Sequence, residues 1–164
     1  MIIVLIRHGH KGSTPISDPE LTEKGHEQSL ALAEIVQRGE LPKPTHCWFS
    51  DKIRTQQTLS EIIIRYQPIT FKKTELSTRH HTETSSVFRQ RVQSFLNQIE
   101  QRQNSQEVHF LCTHYDWIEE ALTLINSDKD LNSFEYSGWS PGQYLIFEVH
   151  NSIWKVIKKG VATV

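Results

Sequence analysis

Apolar runs alternate with segments of helical periodicity along the whole chain. The first run, Ile2–Ile6, consists only of aliphatic residues, which is typical of a strand covered on both faces. Apolar residues then recur near helical spacing over Glu23–Gln37, and Thr22 is the predicted N-cap. The same pattern predicts helices at Asp51–Tyr66 (N-cap Ser50), Ser86–Arg102 and Trp117–Ile125, and strands at Thr45–Phe49, Ile69–Lys73, Glu107–Cys112, Gln143–Val149 and Ile153–Lys158.

This alternation predicts an α/β fold. Strands separated by helices form βαβ units, which give a mainly parallel sheet with helices on both faces. The "HNS" segment at 150–152 separates two alternating runs and predicts a hairpin turn. We therefore expect a three-layer sandwich with a mainly parallel central sheet and an edge hairpin, built as one domain over residues 1–164. In such sheets ligands bind beyond the carboxyl ends of the strands.

Composition narrows the class of protein. The chain has 164 residues, of which 37% are hydrophobic and 23% charged, with a formal net charge of -1. This balance favours neither nucleic acid nor a membrane surface as a partner. No apolar stretch approaches the roughly 20 residues of a membrane span, and no signal peptide is indicated. Cys47 and Cys112 lie in apolar runs without metal-ligand spacing, so we expect reduced core cysteines and a cytoplasmic location.

Four basic residues are predicted to meet at one edge of the sheet. Arg7 and His8 follow the first strand, His114 follows the Glu107–Cys112 strand, and Arg54 lies in the first turn of the helix after "THCWF". Cations gathered in this way repel one another unless an anion lies among them. Arg54 also opposes the helix macrodipole at a helix end that favours anions, and the arginine fork suits phosphate. A phosphate site at this edge is therefore predicted.

Taken singly, each residue also has an ordinary structural explanation. Arg7 and Arg54 suit solvated or ion-paired surface positions, His8 suits the core, and His114 suits a helix cap. Convergence at one edge is what favours a site. His10, next to the pair, is equally consistent with a pocket rim and with a plain surface position.

Several motifs, in order along the chain, resemble the histidine phosphatase superfamily of phosphoglycerate-mutase-like enzymes. The "RHG" tripeptide follows an N-terminal strand, as it does in that family. The other matching blocks are "LTEKGHEQSLALA" (Leu21–Ala33), "FSDKIRTQQTL" (Phe49–Leu59), "FLCTHYDWIEEAL" (Phe110–Leu122) and "SPGQYLIFE" (Ser140–Glu148). At this short length, the chain most resembles the SixA-type phosphohistidine phosphatases.

The resemblance implies roles for the matching residues. His8 would be the nucleophile that forms a phosphohistidine, and Arg7, Arg54 and His114 would hold the phosphoryl oxygens. A neutral imidazole attacks phosphorus without an activating base, so the rate should fall as His8 protonates. A carbonyl near Gly9 or Lys11 would orient the ring, and His114 would be protonated or donate toward phosphate. Neither a metal nor a cofactor is expected, because the arginines supply the positive charge.

The general acid departs from the family pattern. Many members carry an acidic residue on the loop after the third strand, where this chain has Thr78. The alternatives are Glu75, Glu83 and Asp116, each also consistent with a structural role. The missing acid favours a phosphoramidate such as phosphohistidine, whose leaving group can already be protonated.

Three functions remain open at this point. The first is a phosphatase acting on a phosphohistidine protein. The second is a phosphatase for a small metabolite or nucleotide phosphomonoester, with one of the acids above. The third, less favoured, is a non-catalytic phosphate-binding module. Arg79 and His80, in "STRHH", are candidates for binding a substrate anion.

Overall fold

The structure is a computed structural model that describes residues 1–102 and 104–163. Within these residues, six strands and four α-helices alternate as the sequence predicts, and no helix is long and apolar enough to cross a membrane. The strands are β1 (Ile2–Arg7), β2 (His46–Phe49), β3 (Ile69–Lys72), β4 (Val108–Thr113), β5 (Gln143–His150) and β6 (Ile153–Val161). The helices are α1 (Glu23–Gln37), α2 (Ile53–Tyr66), α3 (Ser85–Glu100) and α4 (Tyr115–Leu124).

The strands form one mixed sheet in the order β3-β2-β4-β1-β5-β6. The pairs β3–β2, β2–β4 and β4–β1 are parallel, whereas β1–β5 and β5–β6 are antiparallel. Asn151 and Ser152 join β5 to β6 at φ values of 49° and 59°, which is the conformation of the hairpin turn that matches strand twist. The predicted α/β sandwich with an edge hairpin is thus confirmed.

Strand β1 shows why the sheet needs helices on both faces. Its side chains alternate, so Ile3 and Leu5 join one hydrophobic core while Val4 and Ile6 join the other. Apolar residues of α3 and α4 complete the first core, and those of α1 and α2 complete the second. The second core also holds Cys47 and Cys112, both buried and free, as expected.

The predicted start of α2 was wrong. The helix begins at Ile53 rather than Asp51, its N-cap is Lys52, and no side chain of that residue caps it. The predicted cap, Ser50, instead places its hydroxyl 2.8 Å from His114 Nε2. The Ser50 hydroxyl thus contacts the residue that follows β4, and it accepts the backbone N–H of Lys52 rather than one within the helix. Helix α3 begins at Ser85, with Thr84 as its N-cap.

Two glycines let α1 pack against the loop that follows β1. A Cβ on Gly25 would lie 2.2 Å from the carbonyl oxygen of His10, and one on Gly9 would lie 3.1 Å from the carbonyl oxygen of Gly25. The two backbones therefore touch at a distance that only glycine permits. This contact fixes the loop that carries His8.

Candidate active site

The structure brings together the four basic residues predicted from the sequence. Arg7 ends β1 and His8 follows it, His114 follows β4, and Arg54 is the second residue of the helix after β2. These strands are parallel neighbours, so their carboxyl ends meet. The imidazole rings of His8 and His114 are 5.3 Å apart between centroids, and Arg54 Nη2 lies 3.2 Å from His114 Nδ1.

His8 is buried and held in one tautomer. Its Nδ1 lies 2.8 Å from the carbonyl oxygen of Gly9, and because a carbonyl only accepts, Nδ1 carries the proton. Nε2 is therefore unprotonated. The backbone N–H of Gly9 donates to Thr58 Oγ1 at 2.9 Å, and that of His8 donates to the carbonyl of Thr113 at 3.0 Å. The carbonyl predicted to orient the ring is thus that of Gly9.

Burial and neighbouring cations keep this imidazole neutral. Burial, reinforced by the charges of Arg54, Arg7 and Lys11 and opposed by the Gly9 hydrogen bond, lowers the pKa of His8 to about 4. Near neutral pH the Nε2 lone pair is therefore available for attack. Protonation of His8 should therefore reduce the reaction rate only at a pH well below the usual pKa range of histidine.

The two arginines each keep one buried donor without a partner. Arg7 Nη1 donates to the carbonyl of Trp139, and its guanidinium lies 5.2 Å from the ring centroid of Tyr115. Arg54 Nη1 lies 3.4 Å from Asp18 Oδ1. Among the described residues, Nε of Arg7 and Nε of Arg54 are buried without any acceptor. Unsatisfied charged donors are costly, and a bound oxyanion would supply acceptors for them.

Asp18 is a site residue that the sequence analysis missed. Both of its carboxylate oxygens lie 3.2 Å from the backbone nitrogen of Ile53, so it caps α2 from the loop after β1. It also pairs with Arg54 in the same turn. A carboxylate is favourable at a helix N-terminus, and here it offsets the unfavourable arginine. The only indication of Asp18 in the sequence was that Arg54, a cation in the first turn of α2, had no predicted anionic partner.

His114 is neutral in this arrangement, whereas the sequence analysis expected a ring that is protonated or donates toward phosphate. Its Nδ1 accepts from Arg54, so Nε2 carries the proton and donates to Ser50 Oγ. Burial, followed by the charges of Arg54 and His8, lowers its pKa to about 2. It is the N-cap residue of α4, but its side chain makes no capping hydrogen bond. The alternative of a capping position is thus correct, but the side chain is directed to Arg54 and Ser50 instead of the helix end.

The candidate acid Asp116 is occupied as a hydrogen-bond acceptor. Its Oδ2 accepts from Thr78 Oγ1 at 2.6 Å and from the backbone of Arg79 at 2.7 Å, while Oδ1 accepts from the backbone of Trp117 at 2.9 Å. The carboxylate therefore ties the loop after β3 to α4. It also lies in contact with the residue that stands in place of the family's acid.

The other two candidate acids are less well placed. Glu83 forms a two-point ion pair with Arg91, and this hydrogen bonding lowers the pKa of Glu83 to about 2. It is therefore ionised at neutral pH and unable to donate a proton. Glu75 is half-buried, and its carboxylate accepts from the hydroxyl of Thr74 at 3.3 Å.

Arg79, His80 and His10 lie in two different cavities. A cleft of about 430 Å³ opens beside Arg54, and Arg79 and His80 are among the residues that line it. The remaining lining residues of this cleft are Lys11, Ile16, Ser17, Pro19, Lys52, Thr78 and His81. His10 instead lines a neighbouring cavity of about 350 Å³, where its Nδ1 lies 2.8 Å from Thr22 Oγ1.

One group of side chains has the composition of a metal site. His46, Glu107 and His109 lie at the opposite end of the sheet, with their ligand atoms within 4.8 Å of one another. Trp48 Nε1 donates to His109 Nδ1 at 3.0 Å, so His109 Nε2 carries a proton and donates to Glu107 at 2.9 Å. Arg102 Nη2 donates to His46 Nε2 at 3.2 Å. Because the available lone pairs are engaged, we interpret the group as a structural hydrogen-bond network.

Comparison with known proteins agrees with this geometry. Residues 3–76 match the model of the histidine phosphatase superfamily (branch 1). No curated protein sequence matches the chain at a significant level. Among solved structures, the protein histidine phosphatase SixA complexed with tungstate is 12% identical, with a TM-score of 0.72 over 99% of this chain and 97% of the other.

Two further solved structures share the fold over nearly the whole chain. A mycobacterial glucosyl-3-phosphoglycerate phosphatase in complex with VO3 is 16% identical, with a TM-score of 0.73 over 94% of this chain and 96% of its own. A phosphoserine phosphatase mutant from Entamoeba histolytica, in complex with phosphoserine, is 13% identical, with a TM-score of 0.70 over 98% and 97%. The resemblance read from the motifs is thus confirmed: residues 3–76 match the sequence pattern of the histidine phosphatase superfamily, and nearly the whole chain shares the fold of these three solved structures.

Proposed function

We propose that this protein is a phosphatase that transfers a phosphoryl group to His8 and then to water. The observation that carries the proposal is the meeting of an unprotonated, buried imidazole nitrogen with the unpartnered donors of Arg7 and Arg54. The similarity to phosphatase structures, of which one holds tungstate and another VO3, supports an oxyanion at this position.

The proposed reaction has two steps. In the first, His8 Nε2 attacks phosphorus, the bond to the leaving group breaks, and the leaving group departs with the electron pair. In the second, water attacks phosphorus and gives a proton to solvent, the bond between phosphorus and Nε2 breaks, inorganic phosphate leaves, and the electron pair returns to Nε2. Arg7 and Arg54 hold the equatorial oxygens, and neutral His114 orients Arg54 by accepting its hydrogen bond. The transition state is thus stabilised electrostatically and the reaction needs no metal.

The preferred substrate is a phosphohistidine carried by a protein. Thr78 cannot act as a general acid near neutral pH, and Glu83 is held ionised by Arg91. A leaving group that accepts its proton from solvent, as the imidazole of phosphohistidine does, makes an enzymatic acid unnecessary. The similarity to a SixA structure supports this choice.

A small phosphomonoester is the second candidate substrate class. The observation that favours it is the 2.6 Å hydrogen bond between Thr78 and Asp116, which brings a carboxyl group to the place of the family's acid. If Asp116 protonates a leaving oxygen, alkyl phosphates become substrates.

One comparison of substrates tests both candidates. Purified protein is assayed on an aryl phosphate, an alkyl phosphate and a phosphohistidine peptide, beside His8→Ala and the control His150→Ala, which changes an exposed histidine at the end of β5. We expect turnover of the aryl phosphate and the peptide, little of the alkyl phosphate, and loss of all turnover only in His8→Ala. Circular dichroism checks that the variant folds.

Each other result has a defined meaning. Comparable turnover of the alkyl phosphate favours the second candidate and calls for Asp116→Asn. An alkali-stable, acid-labile phosphoryl label that forms on the wild type but not on His8→Ala supports the intermediate. Bound phosphate without turnover of any substrate would identify a non-catalytic module and overturn the proposal.

A further inference from the structure

The cleft beside Arg54 carries an excess of positive charge. Its lining includes Lys11, Lys52, Arg54 and Arg79, together with His80 and His81, and none of the described residues that line it is acidic. The whole chain, by contrast, has a net charge of -1. The lining of this cleft is therefore more positive than the chain as a whole.

Three of these cations lack a carboxylate partner. Among the described residues, Lys11, Lys52 and Arg79 form no ion pair, and the only acceptors that Lys52 Nζ and Arg79 Nε have are the carbonyls of Ser17 and Glu83. Most other arginines have a carboxylate within 4.0 Å; these are Arg38, Arg65, Arg89, Arg91 and Arg102. Three unpaired cations that line one cleft next to Arg54 indicate a ligand that supplies the negative charge.

The three cations reach the cleft from three separate loops. Lys11 lies on the loop after β1, Lys52 between β2 and α2, and Arg79 on the loop after β3. The positive charge of Lys11 lowers the pKa of His8, and the positive charge of Lys52 lowers the pKa of His114. The cluster thus adjoins the phosphoryl site while standing outside its four central residues.

We propose that the substrate carries a second anionic group, bound by Lys11, Lys52 and Arg79 next to the phosphoryl group that is transferred. The inference rests on the proposed function and deepens it by naming the substrate's charge. The transferred phosphoryl group alone occupies Arg7 and Arg54. The second anion, a phosphate or a carboxylate, neutralises the cleft. It belongs either to a small molecule or to an acidic side chain beside a phosphohistidine.

Binding without turnover is the first test. Isothermal titration calorimetry compares the binding of orthophosphate, alkyl phosphates and α,ω-alkane bisphosphates of increasing length. The proteins are the wild type, Lys52→Gln and Arg79→Gln. The control is Lys43→Gln, because the Lys43 side chain is exposed and lies outside the cleft. Each exposed charge pair is worth about a two- to fivefold change in affinity. Three such pairs should therefore favour the best bisphosphate over its monophosphate by roughly 10- to 100-fold. That ratio should fall in Lys52→Gln and Arg79→Gln, stay unchanged in Lys43→Gln, and shrink at high ionic strength.

A second arm identifies the source of the anion. Turnover is compared on phosphohistidine peptides with acidic and with neutral flanking residues. A preference for acidic flanks that Lys52→Gln abolishes assigns the anion to a protein substrate, whereas a preference confined to bisphosphates assigns it to a small molecule. Equal binding of mono- and bisphosphates, with no preference among peptides, overturns the inference. Failure of orthophosphate and alkyl phosphates to bind at all would instead overturn the proposed function.

Discussion

The contact between α1 and the loop that carries His8 makes Gly25→Ala a sharp test of the structure. Replacing glycine by alanine inside a helix ordinarily stabilises a protein by about 0.5–1 kcal/mol. Here the new Cβ would lie 2.2 Å from the carbonyl oxygen of His10 and 2.9 Å from Leu21 Cβ. That carbonyl also accepts from the backbone of Thr22 at 3.0 Å, so it cannot rotate away freely.

The magnitude follows from the displacement that the methyl group requires. Ordinary contact with the His10 carbonyl would need a shift of about 1 Å in the loop or in α1. Overpacking of this kind costs about 1–3 kcal/mol, enough to reverse the helix-propensity gain. A misplacement of about 1 Å at the reacting group can lower a rate by about 100-fold, and His8 lies two residues from the clash.

Urea denaturation and steady-state kinetics on an aryl phosphate measure the two effects. We expect Gly25→Ala to lower the free energy of unfolding by about 1–2 kcal/mol and kcat/KM by about 100-fold. The matched control is His26→Ala, one residue further along α1, whose side chain is exposed. A Gly25→Ala protein that is more stable than the wild type and fully active would refute the reasoning.

Four further perturbations test the site and its surroundings. After correction for substrate ionisation, kcat/KM should stay level down to about pH 5 and fall as His8, whose pKa is about 4, protonates. Burial also lowers the pKa of His109 to about 4. The folded state should therefore lose about 3 kcal/mol of stability at that residue as pH falls from 6.5 toward 4. His109→Gln should flatten this pH dependence of the unfolding free energy, measured by urea titration. Asp18→Asn keeps a capping residue but removes the charge that competes with phosphate, so orthophosphate should bind about two- to fivefold more tightly by calorimetry. Thr78→Asp places a second carboxyl group next to Asp116, and two carboxyl groups this close share a proton that can be donated to a leaving oxygen. This variant should raise alkyl phosphate turnover by about 100-fold without a similar gain on phosphohistidine.

Each of these expectations can fail in a specific way. An acid limb above pH 6 would mean that His8 is not shielded as the structure indicates. If the unfolding free energies of the wild type and His109→Gln depend on pH equally, this histidine does not cause the loss of stability in acid. Weaker phosphate binding in Asp18→Asn would show that the carboxylate supports the site rather than competes with phosphate. An unchanged alkyl phosphate rate in Thr78→Asp would place the leaving group elsewhere.

Local pattern was enough to predict most of the fold. The aliphatic run of β1, the periodicity of α1 and the "HNS" turn each indicate one structure without reference to the rest of the chain. Helices α2 and α4 are the exceptions at their starts. Helix α2 begins at Ile53 with the Ser50 hydroxyl 2.8 Å from His114 Nε2, and α4 begins at Tyr115 rather than at Trp117. Propensity predicts an element, but tertiary contacts decide its end residues.

The sequence by itself therefore determined the order of layers and the meeting of Arg7, His8, Arg54 and His114. Both follow from the side-chain period of strands and from the rule that parallel strands present their carboxyl ends at one edge. Only the tertiary structure decided which groups those four residues touch, including the cap supplied by Asp18. The tertiary structure also decided which hydrogen bonds the candidate acids form and which cations of the cleft have no carboxylate partner. The physical reason is that these features depend on which loops meet in space, and hydrogen bonds and charge pairs act only at close range.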